Sequence, residues 1–266
     1  MTTQTALAAA AALVALAFAL CTFERWLDRR RRHELAWAIS LAMFTAGSTA
    51  LWYGAAAGWG ALSFRLFYLF GAVLNVPFLA LGTIYLLGGT RAGDRWAAVV
   101  GLGSAFAAGV VLVAPLRRPV PAHRLPQGSD VFGALPRVLA ALASGAGATV
   151  VLVGAGWSAW RLLARRDAAT SAAGSPLRRG RPTGRLAGGN VLIAAGTLVL
   201  GAGGLFNSVL DEMEAFAVTL LVGIALLFAG FLVATGSQTG LRAAPAPADH
   251  QPGPGTQPEE SQAVGH

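Results

Sequence analysis

The apolar positions of this 266-residue chain fall into long runs, separated by short polar segments that are rich in arginine. A helix that crosses the hydrocarbon core of a bilayer needs about 20 predominantly apolar residues. Seven runs meet this length and predict an all-α polytopic membrane protein, a seven-transmembrane-helix bundle within residues 1–240. Their approximate bounds are 5–23, 35–56, 63–87, 96–116, 134–160, 190–209 and 215–235. The Ala-Pro and Gly-Pro pairs after Gly240 predict a disordered cytoplasmic tail over 241–266.

The composition also indicates that lipid is the main solvent of this chain. Charged residues make up only 12% of the sequence, against about 25% in an ordinary soluble domain. All 20 basic residues are arginines, which excludes the Schiff-base lysine of a retinal pigment of the usual kind. Cys21 is the single cysteine, so neither an intrachain disulfide nor a cysteine-based metal site is expected.

The arginines also predict how the helices thread through the membrane. The first apolar run has no charge before it and a basic cluster after it, which is the reverse of a signal peptide and predicts a retained helix. With the N-terminus outside, the cytoplasmic segments hold 15 arginines and the outer segments hold 5. The positive-inside rule therefore predicts an external N-terminus and a cytoplasmic C-terminus. Arginine without lysine, together with many Ala, Gly, Leu and Val residues, is typical of high-GC bacteria, so a bacterial inner membrane is expected. Only the outer segment Arg117–Phe132 argues against this orientation.

The cytoplasmic arginines predict contact with anionic lipid headgroups, worth about 1 kcal/mol for each side chain near the surface. The alternative is that they are solvated and serve only to orient the helices. The candidate lipid-contacting residues are Arg29, Arg30, Arg31, Arg32, Arg165, Arg166, Arg178 and Arg179. Membrane lipids are thus the expected partners, with an unidentified protein as a further partner, and nucleic acid is not expected.

Few side chains in the predicted spans are suited to catalysis. All twelve acidic residues fall in loops, at helix ends or in the tail, and the four histidines are isolated. No metal site or cofactor is therefore expected, and a non-enzymatic role is favoured. An enzyme at the outer surface, using His123, Asp130 and the acidic group near 211–214, is the third alternative. Glycines such as Gly147, Gly154 and Gly196 predict close helix packing instead of a nucleotide site.

Two polar groupings are the strongest site candidates. Arg65 lies near the outer start of the third run, on the same predicted face as the acidic group Asp211, Glu212 and Glu214. An arginine just inside the interface is costly without a partner, which leads to the hypothesis of an outer-face ion pair. The alternative is that Arg65 extends to water on its own.

The second grouping surrounds Asn75, which lies near the middle of the third run, two residues before Pro77. A proline removes a backbone hydrogen bond and kinks a helix. The hypothesis is a small polar cavity, which would suit a transporter of a small neutral or lipidic solute. Its lining residues would be Asn75, Thr83, Tyr85, Thr45, Ser48 and Thr49. The alternative is that Asn75 makes an interhelical hydrogen bond and repairs the kink.

The stretch 32–88 carries the clearest resemblance to known proteins. Trp37 is followed by a helix with Trp52 and Tyr53, then by the run 64–71 (FRLFYLFG) and by Asn-Val-Pro at 75–77. This pattern resembles an uncharacterised group of seven-helix membrane proteins from high-GC bacteria. More distantly, it is similar to the seven-helix N-terminal sensor region of bacterial histidine kinases, without the kinase. The resemblance implies a sensor-like or partner-binding protein whose signal passes through a separate protein.

Overall fold

The computed structural model describes residues 3–172, 188–189, 191–201 and 213–242. The regular secondary structure of these residues is entirely helical. In chain order the helices are α1 (Thr3–Arg29), α2 (Arg32–Ala57), α3 (Ala61–Phe67), a π-helix (Tyr68–Leu74), α4 (Asn75–Val113), α5 (Gly128–Val131), α6 (Ala134–Ala172), α7 (Val191–Gly201) and α8 (Met213–Arg242). The predicted all-α class is confirmed for the described part of the chain.

Five helical stretches among the described residues are long and apolar enough to cross a membrane. One of them is the continuous stretch Ala61–Val113, whereas the sequence predicted two helices here with a polar loop between them. Within α4 the backbone leaves the helical region at Gly89, where φ is 77° and ψ is −178°. A side chain would strain this backbone conformation, so glycine is required at this position.

The chain reverses direction at Gly89. The Tyr85 hydroxyl donates to the Asp94 carboxylate at 2.9 Å across the break, and Phe64 lies in one apolar cluster with Val111. Residues 75–88 and 90–113 therefore form two antiparallel arms, called here the first and second arm of α4. The turn is shorter than predicted because the polar residues around it belong to the helix ends.

Two further helices extend beyond their predicted ends. α1 continues to Arg29 and α6 to Ala172, six and twelve residues past the predicted ends at Phe23 and Trp160. Leucine, alanine, arginine and glutamate have high helix propensity, so a helix does not stop where its apolar run stops. The tail predicted from 241 onward lies outside the described residues, apart from the end of α8.

The hairpin of α1 and α2 packs through small residues. Ala8, Ala11, Ala15 and Ala19 are buried at helical spacing on one face of α1, which lets the two backbones approach closely. The connection is short, and Arg30 adopts a positive φ of 52° to end α1. α8 covers the other side of α1, where Phe18 stacks on Phe228 with ring centroids 5.0 Å apart.

Apolar residues from several helix ends meet at one end of the bundle. This cluster contains Leu51, Trp59, Phe64, Val111, Phe132 and Phe216. The segment between α4 and α6 closes over it, since the Trp59 amide donates to the Ala122 carbonyl at 3.0 Å. The ends of α2, α4 and the starts of α3 and α6 therefore share one face, as an up-and-down threading requires.

Some of the glycines lie at close contacts between helices, and others do not. A Cβ atom on Gly147 would lie 2.9 Å from Val76 Cγ1, and one on Gly196 would lie 2.8 Å from the Gly223 carbonyl oxygen. By contrast, a Cβ atom on Gly145 or Gly201 would have no described atom of another helix within 4 Å. The packing interpretation thus holds at particular positions and not for every glycine of a helix.

Candidate functional site

The segment Tyr68–Leu74 winds as a π-helix of seven residues between α3 and α4. Such segments are rare and usually confined to one turn, because wider winding weakens backbone packing, and they often occur at functional sites. Pro77 lies directly beyond the segment and provides no amide hydrogen for the carbonyl four residues earlier. The sequence therefore disrupts regular α-helical bonding at the centre of this helix.

Neighbouring helices hold the π-helix on two sides. The Ser40 hydroxyl of α2 donates to the Asn75 carbonyl oxygen at 2.7 Å, and the Ser144 hydroxyl of α6 donates to the Ala72 carbonyl oxygen. α2 also approaches closely, since a Cβ atom on Gly47 would lie 2.9 Å from the Gly71 amide nitrogen. Two side-chain donors thus satisfy carbonyl groups at the irregular segment and just beyond it.

Asn75 begins α4 at the end of the π-helix and is only 8% exposed. Its side-chain oxygen, Oδ1, is buried and has no hydrogen-bond partner among the residues that the structure describes. A buried amide oxygen without a partner costs on the order of 1–3 kcal/mol. This residue therefore faces the bundle interior and keeps an unused acceptor there, next to the carbonyl that Ser40 binds.

The structure does not bring the other predicted cavity residues around Asn75 into one hydrogen-bonded group. Thr45 and Thr49 donate to carbonyls of their own helix at 2.8 Å, and Thr83 does the same at 3.3 Å. Tyr85 bonds to Asp94 at the Gly89 turn. The remaining predicted residue, Ser48, is buried in α2.

Arg65 binds backbone carbonyl oxygens at the end of α4. Its guanidinium donates to the carbonyl oxygens of Val111 at 2.5 Å, Leu112 at 2.7 Å and Ala114 at 2.7 Å. These carbonyls belong to the end of α4 and the residue after it, where the helix offers them no partners. Arg65 thus caps α4 with a charge that suits the negative end of the helix dipole. Asp211 and Glu212, and the side chain of Glu214, lie outside the described residues.

A buried ion pair at the opposite end of the bundle was not anticipated from the sequence. Arg25 Nη2 lies 3.0 Å from Glu34 Oε1, and the Glu34 side chain is 1% exposed. The guanidinium of Arg25 also lies 4.8 Å from the ring centroid of Phe231. The pair therefore joins α1, α2 and α8. The sequence did contain a signal for this pair. The two-residue turn between α1 and α2 folds the end of α1, with Arg25, back against the start of α2, with Glu34.

A second ionic contact lies beside this pair. The Arg32 guanidinium binds the Asp94 carboxylate, which also accepts the Tyr85 hydroxyl. The start of α2 is thereby tied to the Gly89 turn. Arg32 is one of the predicted lipid-contacting residues, and this carboxylate already partly satisfies its charge.

The other predicted lipid-contacting arginines differ in their exposure and contacts. Arg31 is exposed, and Arg30 lies over the Trp26 ring at 4.9 Å from its centroid. Arg29 is half-buried. The side chains of Arg165 and Arg166, and the whole of Arg178 and Arg179, lie outside the described residues.

The described residues also form two concave surfaces on different parts of the bundle. The segment between α4 and α6 encloses a small polar cavity of about 70 Å³ beside Arg118 and Asp130. A larger groove of about 480 Å³ lies between the first arm of α4 and α6, and its walls are almost wholly apolar. Within the described residues, no cluster of three or more His, Cys, Asp or Glu side chains is arranged to hold a metal ion.

Comparison of the chain with protein-family models, with curated proteins and with solved structures finds no match. The function therefore has to be argued from the geometry of the helices and of their polar contacts.

Proposed function

We propose that this chain is a seven-helix protein of the bacterial inner membrane that acts as a sensor-like or partner-binding protein and not as an enzyme. Its N-terminus would lie outside and its C-terminus in the cytoplasm. The apolar helices are compatible with membrane embedding. The reversal at Gly89 and the apolar sequence around α7 support the helix count. The arginine distribution supports the orientation.

The helix count rests on two stretches. A straight helix of 53 residues would be about 80 Å long, against a hydrocarbon core of about 30 Å. The reversal at Gly89 divides this stretch into the antiparallel segments 61–88 and 90–113, which supports a third and a fourth span. α7 has eleven described residues, and the sequence continues apolar toward 209, which supports a sixth span before α8.

The observation that carries the functional proposal is the π-helix at Tyr68–Leu74, with the unpaired Asn75 Oδ1 at its end. Converting π to α winding removes one residue from a turn and rotates the helix beyond it by about 100°. This change would give the segment two discrete states, which a signalling element needs. The contacts from Ser40 and Ser144 would let α2 and α6 read that rotation.

A protein partner is the expected recipient of the signal. The full chain would be purified from cross-linked native membranes, and co-purifying proteins would be quantified by mass spectrometry. We expect one protein at a fixed ratio, weakened at least severalfold by Asn75→Leu and by Ser144→Ala. The matched control is Thr49→Ala, since Thr49 is exposed and bonds only to its own helix. Isolation without a partner, or equal retention in all variants, would contradict the proposal.

The second candidate, transport of a small neutral or lipidic solute, is favoured by the apolar groove between α4 and α6. A groove that opens sideways suits a lipidic solute better than a water-soluble one. Proteoliposomes with fluorescent lipid in both leaflets and an external quencher would test this. Quenching of more than half of the fluorescence would support transport, whereas the half expected for protein-free vesicles would count against it.

A further inference from the structure

The groove between the first arm of α4 and α6 has the chemical character of an acyl-chain site. Its walls run from Thr83 to Gly88 on α4 and from Thr149 to Trp157 on α6. Both threonine hydroxyls donate to carbonyls of their own helices, at 3.3 and 2.8 Å, so their protons are not free for a ligand. The exposed walls are almost wholly apolar, and hydrocarbon is the fitting occupant.

The groove is formed by a close helix contact. A Cβ atom on Gly154 would lie 2.5 Å from Thr83 Cγ2 and 3.0 Å from Leu87 Cδ1, so the two helices touch at its floor. Its volume of about 480 Å³ falls within the range of roughly 300–1,000 Å³ found for small-molecule sites. The groove thus has room for a ligand and a floor that packing holds in place.

The length and the ends of the groove match one leaflet. From Thr149 to Trp157 the helix rises by about 12 Å, against roughly 15 Å for half of the hydrocarbon core. Trp157 lies at one end, and tryptophan prefers the headgroup level. The Arg161 guanidinium lies 5.7 Å from the Trp157 ring centroid, one helical turn further on. An apolar groove therefore ends beside a cation at the level of the headgroups.

We propose that this groove binds an anionic phospholipid, with one acyl chain along the groove and the phosphate on Arg161. A guanidinium pairs with phosphate oxygens in a bidentate geometry, and the apolar walls supply the chain contacts. Phosphatidylcholine also has a phosphate, but its choline cation offsets that charge, so a lipid with a net negative charge gains more from Arg161. The inference rests on the membrane embedding proposed above and is independent of any protein partner.

The test uses the full chain in nanodiscs doped with phosphatidylglycerol that carries a photoactivatable diazirine in its acyl chain. Phosphatidylcholine with the same chain is the comparison lipid. Mass spectrometry maps the cross-links to residues 83–88 and 149–157. We expect phosphatidylglycerol to label these segments about fivefold more than phosphatidylcholine, which corresponds to ~1 kcal/mol for one interfacial arginine.

Two variants separate the parts of the site. Arg161→Gln should bring the labelling ratio close to one, because phosphatidylglycerol labelling should fall more than phosphatidylcholine labelling. Val153→Trp fills the groove from an exposed position and should abolish labelling by both lipids. Its matched control is Val138→Trp, also exposed on α6 but outside the groove, which should label like the unmodified chain.

Equal labelling of the unmodified chain by the two lipids would overturn the proposal, and this comparison needs no variant to fold. Equal loss of labelling in Val153→Trp and Val138→Trp would also overturn it. Nanodiscs present the same lipids on both faces, so an error in the proposed orientation does not affect the result. A failure to find a protein partner likewise leaves this test intact.

Discussion

Replacing Arg65 with glutamine tests whether this side chain holds the end of α4 in place. The guanidinium donates to three carbonyl oxygens at 2.5–2.7 Å. Hydrogen bonds to a charged group contribute about 1.5–3 kcal/mol each. The bond to Leu112 is exposed and its carbonyl can be hydrated in the variant, so we count only the two partly buried bonds. The expected loss of unfolding free energy is about 3 kcal/mol.

For a domain of this size, that loss lowers the melting temperature by roughly 6–12 °C. The assay is tryptophan fluorescence of the detergent-purified chain during heating. Arg118→Gln is the matched control, because Arg118 is exposed at the same end of the bundle. A melting temperature of Arg65→Gln within about 2 °C of the unmodified chain would refute the capping role.

The same assay separates capping from the ion pair predicted from the sequence. Neutralising Asp211, Glu212 and Glu214 together should leave the melting temperature nearly unchanged if the α4 carbonyls are the main partners of Arg65. If the triple substitution instead lowers the melting temperature as much as Arg65→Gln does, and the two effects are not additive, the carboxylates are the partners of Arg65.

Three further substitutions test other contacts by the same melting assay. Glu34→Gln should lower the free energy of unfolding by about 3 kcal/mol, because it leaves a partly buried arginine charge unpaired. Glu24→Gln, at an exposed site, should lower it little, and equal effects of the two substitutions would contradict a stabilising pair. Gly47→Ala should lower the free energy of unfolding by about 1–3 kcal/mol by pushing α2 away from the π-helix. Gly101→Ala, where no described atom of another helix lies within 4 Å, should be neutral or stabilising. Reversed effects would refute the close approach of α2 to the π-helix. Gly89→Ala should cost about 1–3 kcal/mol, because an L side chain is strained at its positive φ, and an unchanged melting temperature would refute this turn geometry.

Apolar run length was enough to predict the helical class and the approximate positions of the helices. It failed at helix ends, because α6 continues past Trp160 through residues that are polar yet helix-forming. It also did not identify the one-residue break at Gly89. A tight turn there depends on one backbone conformation, and Gly88 next to it offers the same residue type.

The polar contacts around Asn75 and Arg65 could be predicted only in part, because their partners come from other helices. Asn75 was recognisable as a polar residue in an apolar run beside Pro77, and the structure places it in the interior. The partners were not recognisable, because Ser40 and Ser144 come from helices whose rotation and depth depend on packing. The Arg65 contacts were hidden as well, since backbone carbonyls leave no signature in a sequence.

The central claim is that this chain is embedded in a membrane and threads it seven times from outside to inside. Cysteine accessibility in intact cells tests it most directly, with single cysteines at Thr3, Thr90, Ser129 and Ser175 in a Cys21→Ala background. We predict that a membrane-impermeant maleimide labels positions 3 and 129 from outside, and labels positions 90 and 175 only after the membrane is permeabilised. External labelling at 90 or 175, or protection at 129, would contradict the account.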